Sequence, residues 1–453
     1  MKKSHARQGE QAEGSSSLRM PEPSVGWASV LTGVFLGLAL LKFGNPVVLD
    51  KMVEVPRDLE GVLFQPWPAR WAYFPFLGLV AVVCFLRFKH LRVPRGLAWM
   101  PLGWLLWQAL ASAGSVDPAM SRSTLIHFGI AVGMYYLGYC LLGFQEVRAG
   151  MMVPMLLGFG YVLWIGMDQH FGGLAASREH FFKEHPNWER EFPPEFIKKI
   201  QSDRIFSTLV YPNALAGAIL LLLPVLGAFT WEMLKDRRRM MGLVGLGALI
   251  YGGGACLIWS GSKAGWLIAL GVIGLVGWRY SENNWKRWSM LALAGGVGLG
   301  FFLWRYEGYF ARGATSVGAR FDYWSAAWNN AKSHPGLGTG PGSFSMIYAQ
   351  VKRPESEMAR LVHNDYLQQA SDSGWVGALL FVLILPGSLL WLYRYSFRCQ
   401  QRFWPWLGLV GFGVQSTVEF GLYIPALIWL AFFWLGGLMA DGHAQAQVQV
   451  ETR

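Results

Sequence analysis

The chain has 453 residues, of which 53% are hydrophobic and only 15% are charged, and its formal net charge is +11. Soluble domains carry about 25% charged residues, so this composition excludes an ordinary soluble protein and is typical of a polytopic helical membrane protein. The basic residues occur in short clusters between apolar runs, as topology signals do, and we therefore reject nucleic-acid binding as the meaning of the positive charge.

Twelve apolar segments predict membrane-spanning helices. The first 24 residues are polar and precede them, so we expect a disordered cytoplasmic tail and not a cleaved signal peptide. A membrane helix needs roughly 20 apolar residues. The predicted spans are 25–43, 71–87, 97–113, 123–143, 151–168, 208–231, 241–259, 264–279, 288–304, 374–394, 404–420 and 423–440. The expected fold is an all-α polytopic membrane protein with about twelve transmembrane helices.

Loop charges predict the orientation of these spans. If the N-terminal tail is cytoplasmic, every compact basic cluster falls on the cytoplasmic side, as the positive-inside rule requires. These clusters are "RFKHLRVPR" (Arg87–Arg95), "KDRRR" (Lys235–Arg239), Arg279 with Lys286 and Arg287, and Arg394 with Arg398 and Arg402. Two long polar segments, 169–207 and 305–373, then lie on the external, periplasmic side of the inner membrane. Loops of this length are usually functional.

The predicted organisation alternates membrane helices with these two external loops. The regions are a cytoplasmic tail (1–24), an N-terminal transmembrane bundle (25–168), a first external loop (169–207), core transmembrane helices (208–304), a second external loop with the catalytic candidate (305–373), C-terminal transmembrane helices (374–440) and a cytoplasmic tail (441–453). Within the second loop, the spacing of Phe321, Trp324 and Trp328 predicts a helix over Arg320–Lys332. The turn "HPGLGTGPGSF" ends it.

Four basic or imidazole side chains fall on the external side near the predicted membrane edge. Arg204 lies in "DRIFSTLVYPNALAG", Lys263 in the tight turn "SGSKAGW", and Arg320 at the start of the loop helix. His363 begins "HNDYLQQASDSGWVGALL" and is followed by Asn364 and Asp365.

Each of these residues also has a structural interpretation. The "HND" run is good helix-capping chemistry, and Arg204 near a membrane entry fits an arginine that extends to lipid headgroups. Arg320 fits an ion pair with Asp322 or another loop acid. Glu419, an acid near the outer end of the eleventh predicted span, is a functional candidate by position and equally a partner for a loop arginine.

The turn "SGSKAGW", the arginine–tryptophan helix followed by "GLGTGPGSF", and the histidine segment together resemble the motifs of the O-antigen ligase and polymerase family of bacterial envelope glycan enzymes. The segment "RIFSTLVYPNALAG" is similar to the family's entry into its core domain. The similarity covers roughly 200–430, and it rests on the order and spacing of the motifs. The family usually has arginine in the "S-R-G" turn, where this chain has Lys263, which keeps the charge but loses bidentate geometry.

The resemblance implies transfer of a glycan from an undecaprenyl-diphosphate carrier to a lipid, glycan or protein acceptor at the external face of the membrane. Arg204 and Lys263 would then bind the diphosphate together with the catalytic Arg320. His363 is the expected general base, and Asn364 or Asp365 would orient it within the substrate site. We expect neither a metal nor a cofactor, because the external loops have no DxD-like acidic cluster. Membrane lipids are expected partners.

The sequence leaves several functions open. A ligase, a repeat-unit polysaccharide polymerase and a protein O-oligosaccharyltransferase share the same donor chemistry. Twelve spans with both ends in the cytoplasm also fit a secondary transporter. Against a transporter, charged residues are sparse within the spans, and no two-half repeat is visible. A scaffold for an envelope complex is a further alternative.

Overall fold

A computed structural model describes residues 23–87, 94–141, 148–192, 194–236, 238–281, 284–311, 315–354, 356–397 and 399–451. These residues form helices and connecting turns, and none of them is in a β-strand, which confirms the predicted all-α class for this part of the chain. Apart from Pro23 and Ser24, which begin the first helix, the predicted tail 1–24 lies outside the described residues. Most of the basic segment Arg87–Arg95 does so too.

The described residues contain nineteen α-helices. They are α1 (Pro23–Lys42), α2 (Leu59–Phe64), α3 (Tyr73–Arg87), α4 (Met100–Ala113), α5 (Pro118–Leu141), α6 (Arg148–Asp168), α7 (Leu174–Glu184), α8 (Trp188–Glu191), α9 (Pro194–Ile200), α10 (Pro212–Lys235), α11 (Arg239–Trp259), α12 (Lys263–Tyr280), α13 (Asn284–Ala311), α14 (Thr315–Ser333), α15 (Phe344–Val351), α16 (Asp365–Val382), α17 (Ser388–Ser396), α18 (Gln400–Gln415) and α19 (Pro425–Glu451).

Seven helical segments in the described part of the chain are long and apolar enough to cross a membrane. They are Ala69–Leu86, Pro118–Leu141, Gly150–Glu184, Pro212–Lys235, Arg239–Trp259, Asp365–Ser396 and Pro425–Gln447. Each of them overlaps a predicted span. The other five predicted spans coincide with α1, α4, α12, α13 and α18. The chain is therefore a helical membrane protein, and the count of twelve spans stays a prediction.

The core of the bundle is built around α19. Residues such as Trp429 and Phe432 on this helix have no exposed surface. It packs closely against α5, because glycines stand where the two backbones meet. A Cβ atom on Gly138 would lie 1.9 Å from the carbonyl oxygen of Phe433, and one on Gly436 would lie 1.9 Å from that of Tyr135. Small residues at helix crossings give the close contact on which membrane-helix packing depends.

The two segments predicted as long external loops are largely helical. The first, 169–207, contains α7, α8 and α9, and the second, 305–373, contains the end of α13, all of α14 and α15 and the start of α16. The predicted loop helix Arg320–Lys332 lies inside α14. The described helix α16 begins at Asp365 and not at 374, because a bend at Ser373 and Gly374 joins a polar helical stretch to the apolar span. At the C-terminal end, α19 continues to Glu451, beyond the predicted span end at 440.

The glycine-rich turn after α14 packs directly onto the bend of α16. A Cβ atom on Gly338 (φ +64°) would lie 2.4 Å from the carbonyl carbon of Asp372. The N–H groups of Gly340 and Gly342 donate to the backbone oxygen and to Oδ2 of Asp372 at 2.8 and 2.7 Å. On α14, Asn330 Nδ2 donates to the carbonyl of Ser371 at 3.1 Å. The glycine turn thus fixes α14 against the first part of α16.

Candidate active site

The carboxylate of Glu419 is a meeting point for side chains from separate parts of the fold. It lies in the turn between α18 and α19, and the residue is only 6% exposed. Its Oε1 accepts hydrogen bonds from the Arg320 guanidinium of α14 and from Nδ2 of Asn213, the latter at 2.6 Å. Its Oε2 lies 3.2 Å from Nδ1 of His363. One buried carboxylate therefore joins a cation and an imidazole.

His363 is held in an unusual backbone conformation by its surroundings. Its φ angle is 56°, in the left-handed region that residues other than glycine seldom occupy. The ring packs between Tyr323, with centroids 5.9 Å apart, and Phe420, with centroids 4.7 Å apart. The Nε1 of Trp324 donates to the carbonyl oxygen of His363 at 3.4 Å. Strained residues of this kind persist only where neighbouring contacts fix them, and they occur frequently at functional sites.

Arg204 joins the same network through Asn213. Its Nε donates to the carbonyl oxygen of Ser260 at 2.8 Å, and its Nη2 donates to Oδ1 of Asn213 at 2.8 Å. Because Asn213 donates in turn to Glu419, the amide links the guanidinium to the carboxylate. Burial lowers the pKa of Arg204, and the Glu419 carboxylate opposes that shift. An arginine remains a cation under these conditions.

Lys263 lies beside this network at the first turn of α12. Its Nζ is 5.0 Å from the ring centroid of Tyr306. Burial, followed by the nearby positive charges of Arg204, Arg320 and Arg305, lowers the pKa of Lys263 to about 8. The same repulsion that lowers this pKa makes the neighbourhood of Lys263 attractive to an anion.

Asn364 and Asp365 bond to other parts of the fold. Asn364 caps α16, since its side chain accepts a hydrogen bond from the N–H of Leu367 at 3.0 Å. Asp365 is fully buried, and its Oδ2 accepts from the N–H of Leu422 at 3.0 Å while its own N–H donates to the carbonyl of Ser416 at 2.7 Å. Among the described residues, neither side chain has a hydrogen bond to the imidazole. Asp365 instead fixes the turn that carries Glu419.

The structure thus brings together Arg204, Arg320 and His363 around Glu419, with Lys263 alongside. From the sequence, Glu419 is recognised as an acid at the end of an apolar span, whereas Asn213 is assigned no role. The available signal for Asn213 is its place in the segment that also carries Arg204, in the first turn of α10. Polar side chains at the start of an apolar helix are good candidates for contacts at the membrane edge.

Part of the chain that forms this site also matches a known protein family. Residues 248–382 match the model of a family described as O-antigen ligase, whereas no curated protein matches the chain. The matched segment runs from α11 to the end of α16 and includes Lys263, Arg320 and His363. It excludes Arg204 and Glu419. Residues 248–382 are therefore similar to the O-antigen ligase family, which confirms the resemblance seen in the sequence for this part of the chain.

Proposed function

We propose that this protein transfers a glycan from an undecaprenyl-diphosphate carrier to an acceptor hydroxyl. The observation that carries the proposal is the junction at Glu419, where Arg320 and His363 contact the same carboxylate. A cation for the leaving group and a base for the nucleophile are thereby held close together. Such positioning supplies a large part of the rate enhancement in transfer reactions.

The cationic side chains stabilise the departing diphosphate. As the acceptor oxygen bonds to the anomeric carbon, the bond between that carbon and the carrier's phosphate oxygen breaks, and its electron pair leaves with the diphosphate. Arg320 uses part of its guanidinium for Glu419 and has further N–H donors for phosphate oxygens. Arg204 and Lys263 add positive charge beside it.

His363 accepts the acceptor's proton. Its Nδ1 faces Glu419, and no hydrogen bond from another described residue reaches its Nε2. A proton on Nδ1, donated to the carboxylate, leaves the Nε2 lone pair free to take a proton from the incoming hydroxyl. General-base assistance of this kind contributes about 10²–10⁴-fold to a rate.

Glu419 positions both groups. Its Oε2 fixes the tautomer and the orientation of the imidazole, and its negative charge stabilises the imidazolium that forms when the proton is transferred. The logic is that of the aspartate in a catalytic triad. Through Oε1 the same carboxylate holds Arg320 beside the base.

The apolar tail of the carrier has a suitable place between the helices. A cavity of about 870 Å³ lies between α10, α11, α12, α18 and α19, and its lining includes Leu223, Val272, Trp404 and Trp434. Apolar walls of this type suit an isoprenoid chain. We propose that the tail lies there and enters past Leu220 and Leu257, at the apolar end of the cavity nearest the candidate site. The glycan and the acceptor would then meet above that end, beneath α14.

We test the proposal in a strain that lacks the gene and is complemented with wild-type protein or variants. His363→Ala should insert normally, as shown by its amount in the membrane, and should abolish attachment or extension of the surface glycan. His180→Ala is the matched control, because His180 is exposed on α7 and should leave the glycans unchanged. Normal glycans in a well-expressed His363→Ala strain would remove His363 from the mechanism.

The material that accumulates distinguishes the related reactions. Finished polymer on the carrier indicates a ligase, and single repeat units indicate a polymerase. Loss of glycan from proteins alone indicates a protein O-oligosaccharyltransferase. Unchanged glycans in the deletion strain itself would contradict the proposal and favour a transporter or a scaffold.

A further inference from the structure

Helix α14 presents three different faces. One is buried against the fold and contains Tyr323, Ala327 and Asn330. One is exposed and polar and contains Asn329, with Ser325 at its border with the third face. The third, which we call the aromatic edge, is exposed and apolar and contains Val317, Phe321 and Trp328. An amphipathic helix in water would need only a buried face and a polar face, so the aromatic edge requires an explanation.

The aromatic edge is a continuous surface. Its residues are spaced by four and seven positions, which places them on one side of a helix. Phe321 is 60% exposed and Trp328 is 45% exposed. Large apolar side chains aligned in this way mark a surface that something else covers.

The aromatic edge continues into the outward surface of a membrane span. The rings of Trp328 and Trp375 meet edge to face, with centroids 5.2 Å apart. Trp375 follows the bend of α16 and is the first of several exposed apolar residues on that helix, where Val376 is 41% exposed and Leu379 is 58% exposed. These residues belong to the span-forming segment Asp365–Ser396, so the surface they form faces lipid acyl chains.

The neighbouring helices place both ends of α14 on the same side of the membrane. The helical stretch 375–396 measures roughly 33 Å, which matches the hydrocarbon thickness and puts Trp375 at its edge. The N-terminal half of α14 is fixed by Arg320, which contacts Glu419 just beyond the end of α18. Glu419 follows the end of that helix, Gln400–Gln415, by four residues, so it lies at the same end of the bundle as Trp375.

From this geometry we propose that α14 lies in the headgroup layer of the membrane. Its aromatic edge contacts the upper acyl chains, and Asn329 faces water. Tryptophan and phenylalanine on one side and polar residues on the other are the pattern of helices that bind at a bilayer surface. The inference depends on the membrane fold and not on the chemistry proposed for His363. It adds that Arg320 is held at the depth of lipid phosphates.

Spin labels on the full-length protein test this placement. The background variant has Cys84, Cys140, Cys256 and Cys399 replaced by serine, and it is reconstituted in vesicles of phosphatidylethanolamine and phosphatidylglycerol. A nitroxide at Phe321→Cys should collide more often with dissolved oxygen, which concentrates in acyl chains, than with a water-soluble nickel chelate. The control Asn329→Cys, an exposed position about 100° around the same helix from Trp328, should show the reverse preference.

Other environments of the aromatic edge, water or a second copy of the chain, would give different collision signals. Preference for the nickel chelate at both positions would place the aromatic edge in water and overturn the proposal. A label at Phe321→Cys that neither reagent reaches, with dipolar broadening between labels, would show that a second copy of the chain covers the edge. Trp328→Cys provides a second label on the same face, so the test does not depend on one variant that fails to fold. Melting temperatures of all labelled variants check that the fold is retained.

Discussion

Glu419 determines the geometry of the candidate site through its two oxygens. Oε1 receives Arg320 and Asn213, and Oε2 receives the His363 imidazole. A buried carboxylate without partners would be strongly unfavourable, and these contacts offset that cost. The same contacts make the positions of base and cation depend on one side chain. When an anionic donor arrives, Arg320 can divide its N–H groups between the carboxylate and the phosphate.

We predict that Glu419→Gln lowers the transfer rate by about 10²-fold or more, the range expected when general-base assistance is lost. The amide fits the space but cannot serve both neighbours. If its NH₂ group faces His363, the imidazole must carry its proton on Nε2 and loses its basic lone pair. If the NH₂ group faces Arg320 instead, two donors oppose each other. Initial rates with purified protein in vesicles measure the effect.

Glu357→Gln is the matched control for that experiment. Glu357 is an exposed glutamate on the stretch between α15 and α16, and its replacement should leave the rate close to that of the wild type. Separate measurement of kcat and KM should distinguish a role of Glu419 in positioning His363 from a role in substrate binding. A positioning role lowers kcat with little change in KM, whereas a wild-type kcat for Glu419→Gln would show that the carboxylate does not support His363.

The lowered pKa of Lys263 predicts a pH dependence for donor binding. Burial and neighbouring cations bring that pKa to about 8, so the side chain is mostly protonated below this pH and neutral above it. The carrier diphosphate is a diester with constant charge in this range. We therefore expect kcat/KM to fall as the pH rises through about 8. Lys263→Arg restores the residue usual in the family's turn and should keep kcat/KM flat there, because arginine stays charged.

This comparison isolates Lys263 from the other ionisable groups. Both proteins contain the same His363 and Glu419, so a difference between their alkaline limbs must come from position 263. Identical pH profiles for the wild type and Lys263→Arg would show that the lysine charge does not contribute to donor binding.

At the scale of helices, the sequence motifs hold one another in place. The glycine turn packs on Asp372, and Asn330 on α14 bonds to Ser371 on α16. The helix α14 was predictable, because aromatic residues recur on it at helical spacing. The sequence also offers Glu419 as a partner for a loop arginine, and the structure shows that Arg320 is that arginine. The specific partner was not predictable, because the two residues are 99 positions apart and local patterns carry no information about such contacts.

Hydropathy predicts a span that begins at 374, whereas α16 begins at Asp365, because its first part is polar but buried. Residues such as Gln368 and Gln369 are polar, yet they are buried against other polar side chains, including Gln108 and Tyr423. A scale that scores each residue by its affinity for lipid predicts a loop here. The tertiary hydrogen bonds that satisfy these groups make the stretch helical.

At the scale of the whole molecule, successive helices alternate between two ends of the bundle. Contacts at the end that carries Glu419 include Thr208 with Leu40, Val116 with Thr339 and Gln169 with Ser207. These contacts join the ends of α1, α4 and α6 to the candidate site. Together with the helix order, they support a path of twelve crossings, although α4 and α18 are short for a span.

The basic clusters between the spans, where the structure describes them, lie at the opposite end. Lys235 and Arg239 flank the turn between α10 and α11, and Arg279 lies at the end of α12. Arg402 at the start of α18 pairs with Asp441 of α19 at 3.5 Å, so the C-terminal helix also ends on that side. Cationic clusters near span ends are retained in the cytoplasm, which supports an extracytoplasmic location for the candidate site.

This topology predicts the outcome of reporter fusions in cells. Alkaline phosphatase, which is active only outside the cytoplasm, should be active when fused after Glu357, on the stretch before His363. Green fluorescent protein, which fluoresces only in the cytoplasm, should fluoresce when fused after Asp236 or after the C-terminal residue Arg453. The prediction follows from the three helices α11, α12 and α13 between Asp236 and α14, since an odd number of crossings places the two fusion points on opposite sides. Fluorescence from the Glu357 fusion would place His363 in the cytoplasm. The site would then face away from a carrier-linked glycan on the outer surface, and the transfer proposed here would be impossible.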